Sequence, residues 1–265
     1  MDRARRRPAV VMPDATPESG ALCGRHPVLE LLRGGSRRAQ EIAVLAGGRG
    51  PLQEIVSLAR RAGVKVSFRT RDQLTAMAGS PDHQGVVARV ARAEYADLED
   101  LLAIPAERSE PALFLALDQV QDPRNLGALL RAADALGVHG LIIPRHHAAG
   151  LTDATARVAM GAIEFVRVAR EVNLVAAMEH MKKKQIWVYG AVPAGGTAPW
   201  VADLTGPVCL VLGGEGEGLR PLVERTCDGL LTIPMTGHLG SLNVGAAGAI
   251  LCYEIARQRS LRSRK

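Results

Sequence analysis

The feature that most constrains this chain is an alternation that starts at Leu113 and runs almost to the C-terminus. Short apolar runs at 113–117, 140–143, 164–168, 185–191, 208–212 and 230–233 have the length of strands. Between them the apolar spacing predicts helices over 125–136, 173–183, 219–227 and 243–258. Strands alternating with helices in this way predict an α/β fold, a parallel sheet covered by helices on both faces.

Two of the runs empty into loops of unusual composition. Val208 to Leu212 leads into Gly213, Gly214, Glu215, Gly216, Glu217 and Gly218. Leu230 to Ile233 leads into Pro234, Met235 and a loop closing on Ser241, Leu242 and Asn243. Glycine directly after a strand lets the backbone turn sharply or lets a ligand come close. Set side by side, the two strand ends predict a crevice at the carboxyl edge of the sheet, where open α/β folds bind ligands. A dinucleotide fingerprint is excluded, because a GxGxxG started by Gly214 and Gly216 needs glycine where Leu219 stands. Glu215 and Glu217 would also repel a pyrophosphate. No Lys-Ser or Lys-Thr follows, so a Walker phosphate loop is excluded too. The ligand expected here is less anionic, and a sulfonium carrying an adenosine fits.

A third polar segment, Asp118 to Arg131, lies where a strand hands over to a helix. Leu126, Leu129, Leu130, Ala133 and Leu136 share one face of that helix at core spacing. Arg131 stands roughly 140° from Leu126 at 100° per residue, pointing away from the packed face. A solvated arginine is the plainer reading of Arg131, and a helix N-cap that of Asn125. Ser241 and Asn243 likewise precede a helix, with Val244, Ala247, Ile250, Leu251 and Ile255 as its expected apolar face. No nucleophile elbow and no set of serine, base and acid is present. Cys209 and Cys252 read as small core residues.

Upstream, Gly20 to Val90 reads as a compact α/β unit. Helices are expected from Pro27 to Gly34 and Gly35, over 52–61 and over 71–77, with strands at 41–45, 64–68 and 86–90. The stretch 93–111, rich in Ala, Glu and Asp with Pro105 and Pro111 as breakers, reads as an interdomain linker. The domain plan is therefore a tail at 1–19, a first domain at 20–92, and a second at 112–260. The tail mixes Arg3, Arg5, Arg6 and Arg7 with prolines and is expected to be disordered. With Arg257, Arg259, Arg262, Arg264 and Lys265 at the other end and a net charge of +6, contact with RNA or DNA is reasonable. No apolar run approaches the ~20 residues of a membrane span. Four scattered cysteines without a CxxC pair argue against a zinc site or disulfide framework and for a reducing cytoplasm.

Taken together, DPRNLGALLRAADALG (122–137), LVLGGEGEGL (210–219) and IPMTGHLGSLNVGAAGA (233–249) resemble the three motifs of the SpoU (TrmH-type) RNA ribose methyltransferases of the SPOUT superfamily. GRHPVLELLRGG (24–35) and DHQGVVARV (82–90) resemble the start and end of the small N-terminal RNA-binding domain of the branch acting on large-subunit ribosomal RNA. The resemblance implies a C-terminal domain tied in a deep trefoil knot, a homodimer, and S-adenosylmethionine as methyl donor. It implies cofactor contacts at Gly213, Ile233 and Leu242, catalysis by Arg131, and support from Asn125, Glu215, Ser241 and Asn243, with no metal. The implied reaction is 2′-O-methylation of a ribose, of guanosine, in 23S rRNA. A transfer RNA enzyme or an antibiotic-resistance relative of the same family is the alternative. The chain departs from the family pattern at three places: Gly214 stands where alanine or serine is common, Gly245 and Ala246 follow Val244 where serine and valine are usual, and His238-Leu239-Gly240 is an uncommon lead-in to Ser241.

Overall fold

The computed structural model describes residues 19–34, 39–91, 93–238 and 240–262. The arginines of the N-terminal tail, Gly35, Leu239, Arg264 and Lys265 lie outside the described residues. The first unit comprises β1 (Ser19–Cys23), α1 (Arg25–Gly34), β2 (Ala39–Leu45), α2 (Pro51–Arg61), β3 (Lys65–Arg69), α3 (Arg71–Ala78) and β4 (Val86–Ala91). Its sheet runs β1-β4-β2-β3, with β2 and β3 parallel and the other pairs antiparallel. Leu52, Ile55 and Ala59 turn one face of α2 inward. Thr70 and Gln73 close a capping box on α3, each satisfying a backbone N–H of the other end. The strand β1 has no counterpart in the apolar pattern, because SGALC is small and lacks alternation.

The second unit comprises α4 (Leu98–Arg108), β5 (Leu113–Asp118), α5 (Pro123–Ala135), β6 (Gly140–Pro144), α6 (Asp153–Ala159), a 3-10 turn at Ala162–Glu164, β7 (Arg167–Glu171), α7 (Leu174–Lys183), β8 (Trp187–Ala191), β9 (Val208–Gly213), α8 (Pro221–Thr226), β10 (Gly229–Leu231) and α9 (Val244–Arg262). All neighbouring strands are parallel, in the order β10-β8-β9-β5-β6-β7. Successive residues of central β5 serve opposite faces, as the pleat requires. Leu113, Leu115 and Leu117 join Leu126, Leu129 and Leu130 of α5 and Leu251 and Ile255 of α9. Phe114 and Ala116 join Leu101 and Ile104 of α4, Met178 and Met181 of α7 and Val223 of α8.

Four sequence expectations need correction. The stretch 93–111 contains α4, which runs through Pro105. Leu101, Ile104 and Pro105 are buried against the second sheet, and that packing outweighs the one hydrogen bond proline removes. The strand expected at 164–168 begins only at Arg167, after the 3-10 turn. The ends of β9 and β10 are not neighbours, because β8 lies between them. On α9 the buried face is Val244, Gly245, Gly248, Leu251, Cys252 and Ile255, while Ile250 is 44% exposed. A side chain at Gly248 would collide with Leu129 and Leu212, so α9 sits on α5 and β9 through glycine, which an apolar-spacing argument does not count.

Leu101→Ala tests whether α4 belongs to the second core. The side chain is fully buried, and its loss should lower the unfolding free energy by about 2–5 kcal/mol. Urea unfolding of the two proteins measures this, and a free linker would give no change.

Candidate active site

The carboxyl ends of β8, β9 and β10 open onto a cavity of about 400 Å³. Its wall is made largely by the turn after β9. Gly216 and Gly218 have positive φ angles of 90° and 70°, which side chains rarely adopt. The turn closes on itself through the Gly218 N–H, which donates to the Gly214 carbonyl at 3.2 Å. A Cβ on Gly213 would overlap the Gly218 backbone, and one on Gly214 would overlap the Gln119 carbonyl oxygen. The glycine at 214 is thus what lets this turn lie directly against the segment that follows β5.

Gly213 and Glu215 from this turn line the cavity together with Ile233, Ser241, Leu242 and Asn243. Leu212, Leu231 and Leu251 supply apolar wall. Glu215 is the one acidic or basic side chain among the described residues that line it. A phosphate would find no cation there, whereas a ligand with an apolar body and a positive centre would find a carboxylate. That is the character of S-adenosylmethionine, and the residues present fit it.

Asn125 ties the wall together. It is not the helix cap: Asp122 caps α5 by accepting from the Arg124 N–H at 2.8 Å. The Asn125 side chain is instead buried, donating Nδ2 to Glu215 Oε1 and accepting at Oδ1 from Asn243 Nδ2 at 2.8 Å. Asn243 does serve as a cap, its Oδ1 accepting the Gly245 and Ala246 N–H groups at 2.9 and 3.3 Å, while its amide nitrogen is committed to Asn125. Asn125, Glu215, Asn243, Ser241, Gly213, Ile233 and Leu242 are therefore brought to one place. Arg131 is not among them. It is exposed on α5, does not line the cavity of its own chain, and makes no hydrogen bond or ion pair among the described residues.

A pair that the sequence argument passed over holds the far end of the turn. Asp118, the last residue of β5, is fully buried. Its Oδ2 accepts from the Arg220 N–H at 2.8 Å, and its Oδ1 from Arg220 Nε at 2.7 Å. Arg220 leads into α8, so this pair anchors the turn from Gly214 to Leu219 at its exit. An aspartate closing the otherwise apolar run LFLALD is the signal that could have found it. Burial pushes the Cys209 thiol up, and those of Cys227 and Cys252 to about 12, so these side chains remain protonated thiols. Among the described residues no cluster of three or more His, Cys, Asp or Glu could hold a metal ion, and no helix is long and apolar enough to cross a membrane.

Comparison with known proteins meets this geometry from outside. Residues 112–253 match the sequence model of the SpoU rRNA Methylase family, and residues 21–96 that of the RNA 2′-O ribose methyltransferase substrate-binding domain. The 23S rRNA (guanosine-2′-O-)-methyltransferase RlmB of Shewanella oneidensis is 39% identical over 89% of this chain and 96% of its own. YacO of Bacillus subtilis, provisionally named a TrmH family tRNA/rRNA methyltransferase, is 39% identical over 89% of this chain and 95% of its own. The SpoU methyltransferase AviRb of Streptomyces viridochromogenes, solved with AdoMet bound, superimposes with a TM-score of 0.77 at 26% identity, covering 92% of this chain and 91% of that one.

Cutting the anchor at Asp118 should be measurable. Asp118→Ala removes two charge-assisted acceptors, and with Arg220 about half exposed and free to turn to water the expected loss is about 1–3 kcal/mol. A double-mutant cycle with Arg220→Ala in urea should show the two losses to be strongly non-additive; simple addition would mean the pair does not act as one unit.

Proposed function

Because the chain belongs to the SpoU rRNA methylase family, we propose that it methylates the ribose 2′-hydroxyl of a guanosine in 23S ribosomal RNA. It is an RNA 2′-O-ribose methyltransferase that uses S-adenosylmethionine. The observation that carries the reading is the convergence of the three motif segments on one cavity whose charged lining residue is Glu215.

S-adenosylmethionine, when bound, supplies a methyl group on a positively charged sulfur. In this proposal the backbones at Gly213, Ile233 and Leu242 hold it, and Glu215 presents its carboxylate to the positive centre. Asn125 and Asn243 keep that carboxylate and the start of α9 in fixed relation. Ser241 and Asn243 orient the ribose. A 2′-hydroxyl is a weak acid, so negative charge gathers on its oxygen during attack, its proton passing to solvent water as the O–CH3 bond forms. Arg131 holds that charge. A guanidinium does not give up its proton in proteins, so electrostatic stabilisation rather than general base chemistry is its part.

Since Arg131 stands outside the cavity of its own chain, the enzyme is taken to be a homodimer in which Arg131 of the partner subunit completes each site. The order β10-β8-β9, with two strand ends straddling a third, supports a trefoil knot in the C-terminal half. In the proposed division, residues 20–92 bind substrate RNA and residues 112–260 carry the chemistry, with 93–111 packed onto the latter through α4. In this proposal the enzyme works in the cytoplasm, on ribosomal RNA.

Arg131→Ala should keep S-adenosylmethionine and RNA binding while losing about 10²–10³-fold in methyl transfer, the loss typical of a removed oxyanion donor. Transfer of labelled methyl to 23S rRNA and to tRNA separately, followed by mapping of the modified nucleotide, measures this. Activity within a few-fold of wild type sinks the role of Arg131, and label found in tRNA alone sinks the substrate. Mixing Arg131→Ala with Asn243→Ala protein should restore part of the activity, because a mixed dimer keeps one complete site.

A further inference from the structure

Between residues 19 and 91 the chain has a single Phe, Tyr or Trp, and that residue, Phe68, is 54% exposed. An aromatic ring is the largest contribution a small unit can make to its core. This unit builds its core from Leu22, Val28, Ile42, Ile55 and Val90 instead. Phe68 lies on β3, the edge strand of the first sheet. There it lines a cleft of about 610 Å³ with Gln53, Val56, Arg60 and Arg61 of α2 and with Gly47. Two other arginines of the unit are paired, Arg33 with Glu30 and Glu54 and Arg69 with Glu41. Arg60 and Arg61 are exposed, and neither has an ion-pair partner among the described residues. Among the described residues no carboxylate lines the cleft.

On the reading that the substrate is RNA, we propose that this cleft receives one unpaired nucleotide of it. The base stacks on the Phe68 ring, a contact open to every base because each has a flat π face. The Gln53 amide, with both donors and an acceptor, meets the base edge. The Arg60 and Arg61 guanidinium groups take the adjoining phosphates, which their planar forks fit. Gly47, at a φ of 74° and without a side chain, leaves the backbone on that wall open. Two unpaired guanidinium groups beside a bare aromatic ring favour a polyanion with stacking bases over an apolar protein segment.

The test uses the full chain and a 23S rRNA transcript. Phe68→Ala and Phe68→Leu should each weaken transcript binding about tenfold, the loss of one base stack, while Phe68→Tyr stays within about twofold. Arg60→Ala with Arg61→Ala should weaken binding and flatten its salt dependence by about one to two in log–log slope. Unchanged circular dichroism and urea unfolding of the first unit in all four certify its fold. Unchanged transcript affinity in Phe68→Ala, or equal loss in Phe68→Tyr, overturns the stacking site while leaving the methyltransferase reading intact. A wild-type chain that binds no 23S rRNA overturns the substrate reading and this inference with it.

Discussion

The site depends on one side-chain amide. Asn125 donates to Glu215, 90 residues away, and accepts from Asn243, 118 residues away. The amide carries a donor and an acceptor on one rigid plane, whereas an ionised aspartate cannot donate and leucine can do neither. The amide is buried, so leaving either partner unmet would cost more than the bond itself contributes. Its placement comes from the core. Leu126, Leu129 and Leu130 seat α5 on β5, and the first turn of that helix then carries Asn125 to the cavity edge. Apolar packing thus sets polar geometry at the site.

Glycine makes that seating possible. α5 meets α6 at Gly127, where a Cβ would overlap Val158, and α9 meets α5 and β9 at Gly248. The turn after β9 folds back on itself because Gly213 lacks a side chain, and lies against the chain leaving β5 because Gly214 does. Each of these is a site of close approach, and Gly248 brings the third motif segment onto the other two, against Leu129 and Leu212. The Asp118–Arg220 pair then fixes the far end of the turn. The result is a cavity shaped by backbone, with a single carboxylate for electrostatics, suited to a ligand that is apolar over most of its surface and positive at one point.

In the proposed division of work, the two units differ along chemical lines. Among the described residues, the larger lines its cavity with no cationic side chain. The smaller presents unpaired arginines beside an exposed ring. A methyl donor with a positive sulfur and an RNA with negative phosphates require opposite electrostatics, and placing them on separate sheets lets one chain offer both.

From residue order alone, the alternation after Leu113 determined the parallel sheet, since strand-length apolar runs divided by amphipathic helices have few other solutions. The three polar segments were legible because glycine after a strand and charge beside it have no role in a core. Much of the rest was decided by tertiary structure. That β8 separates β9 from β10 is a fact of chain threading that no local spacing encodes. α4 was hidden because Pro105 argues against a helix locally, and only burial of Leu101 and Ile104 overrides it. On α9 the sequence found Val244, Leu251 and Ile255 but missed Gly245 and Gly248, because glycines carry no hydrophobic signal. Asn125 looked like a cap because its position before a helix is all that sequence offers. The partners that make it a bridge lie 90 and 118 residues downstream and come within reach only when the sheet assembles.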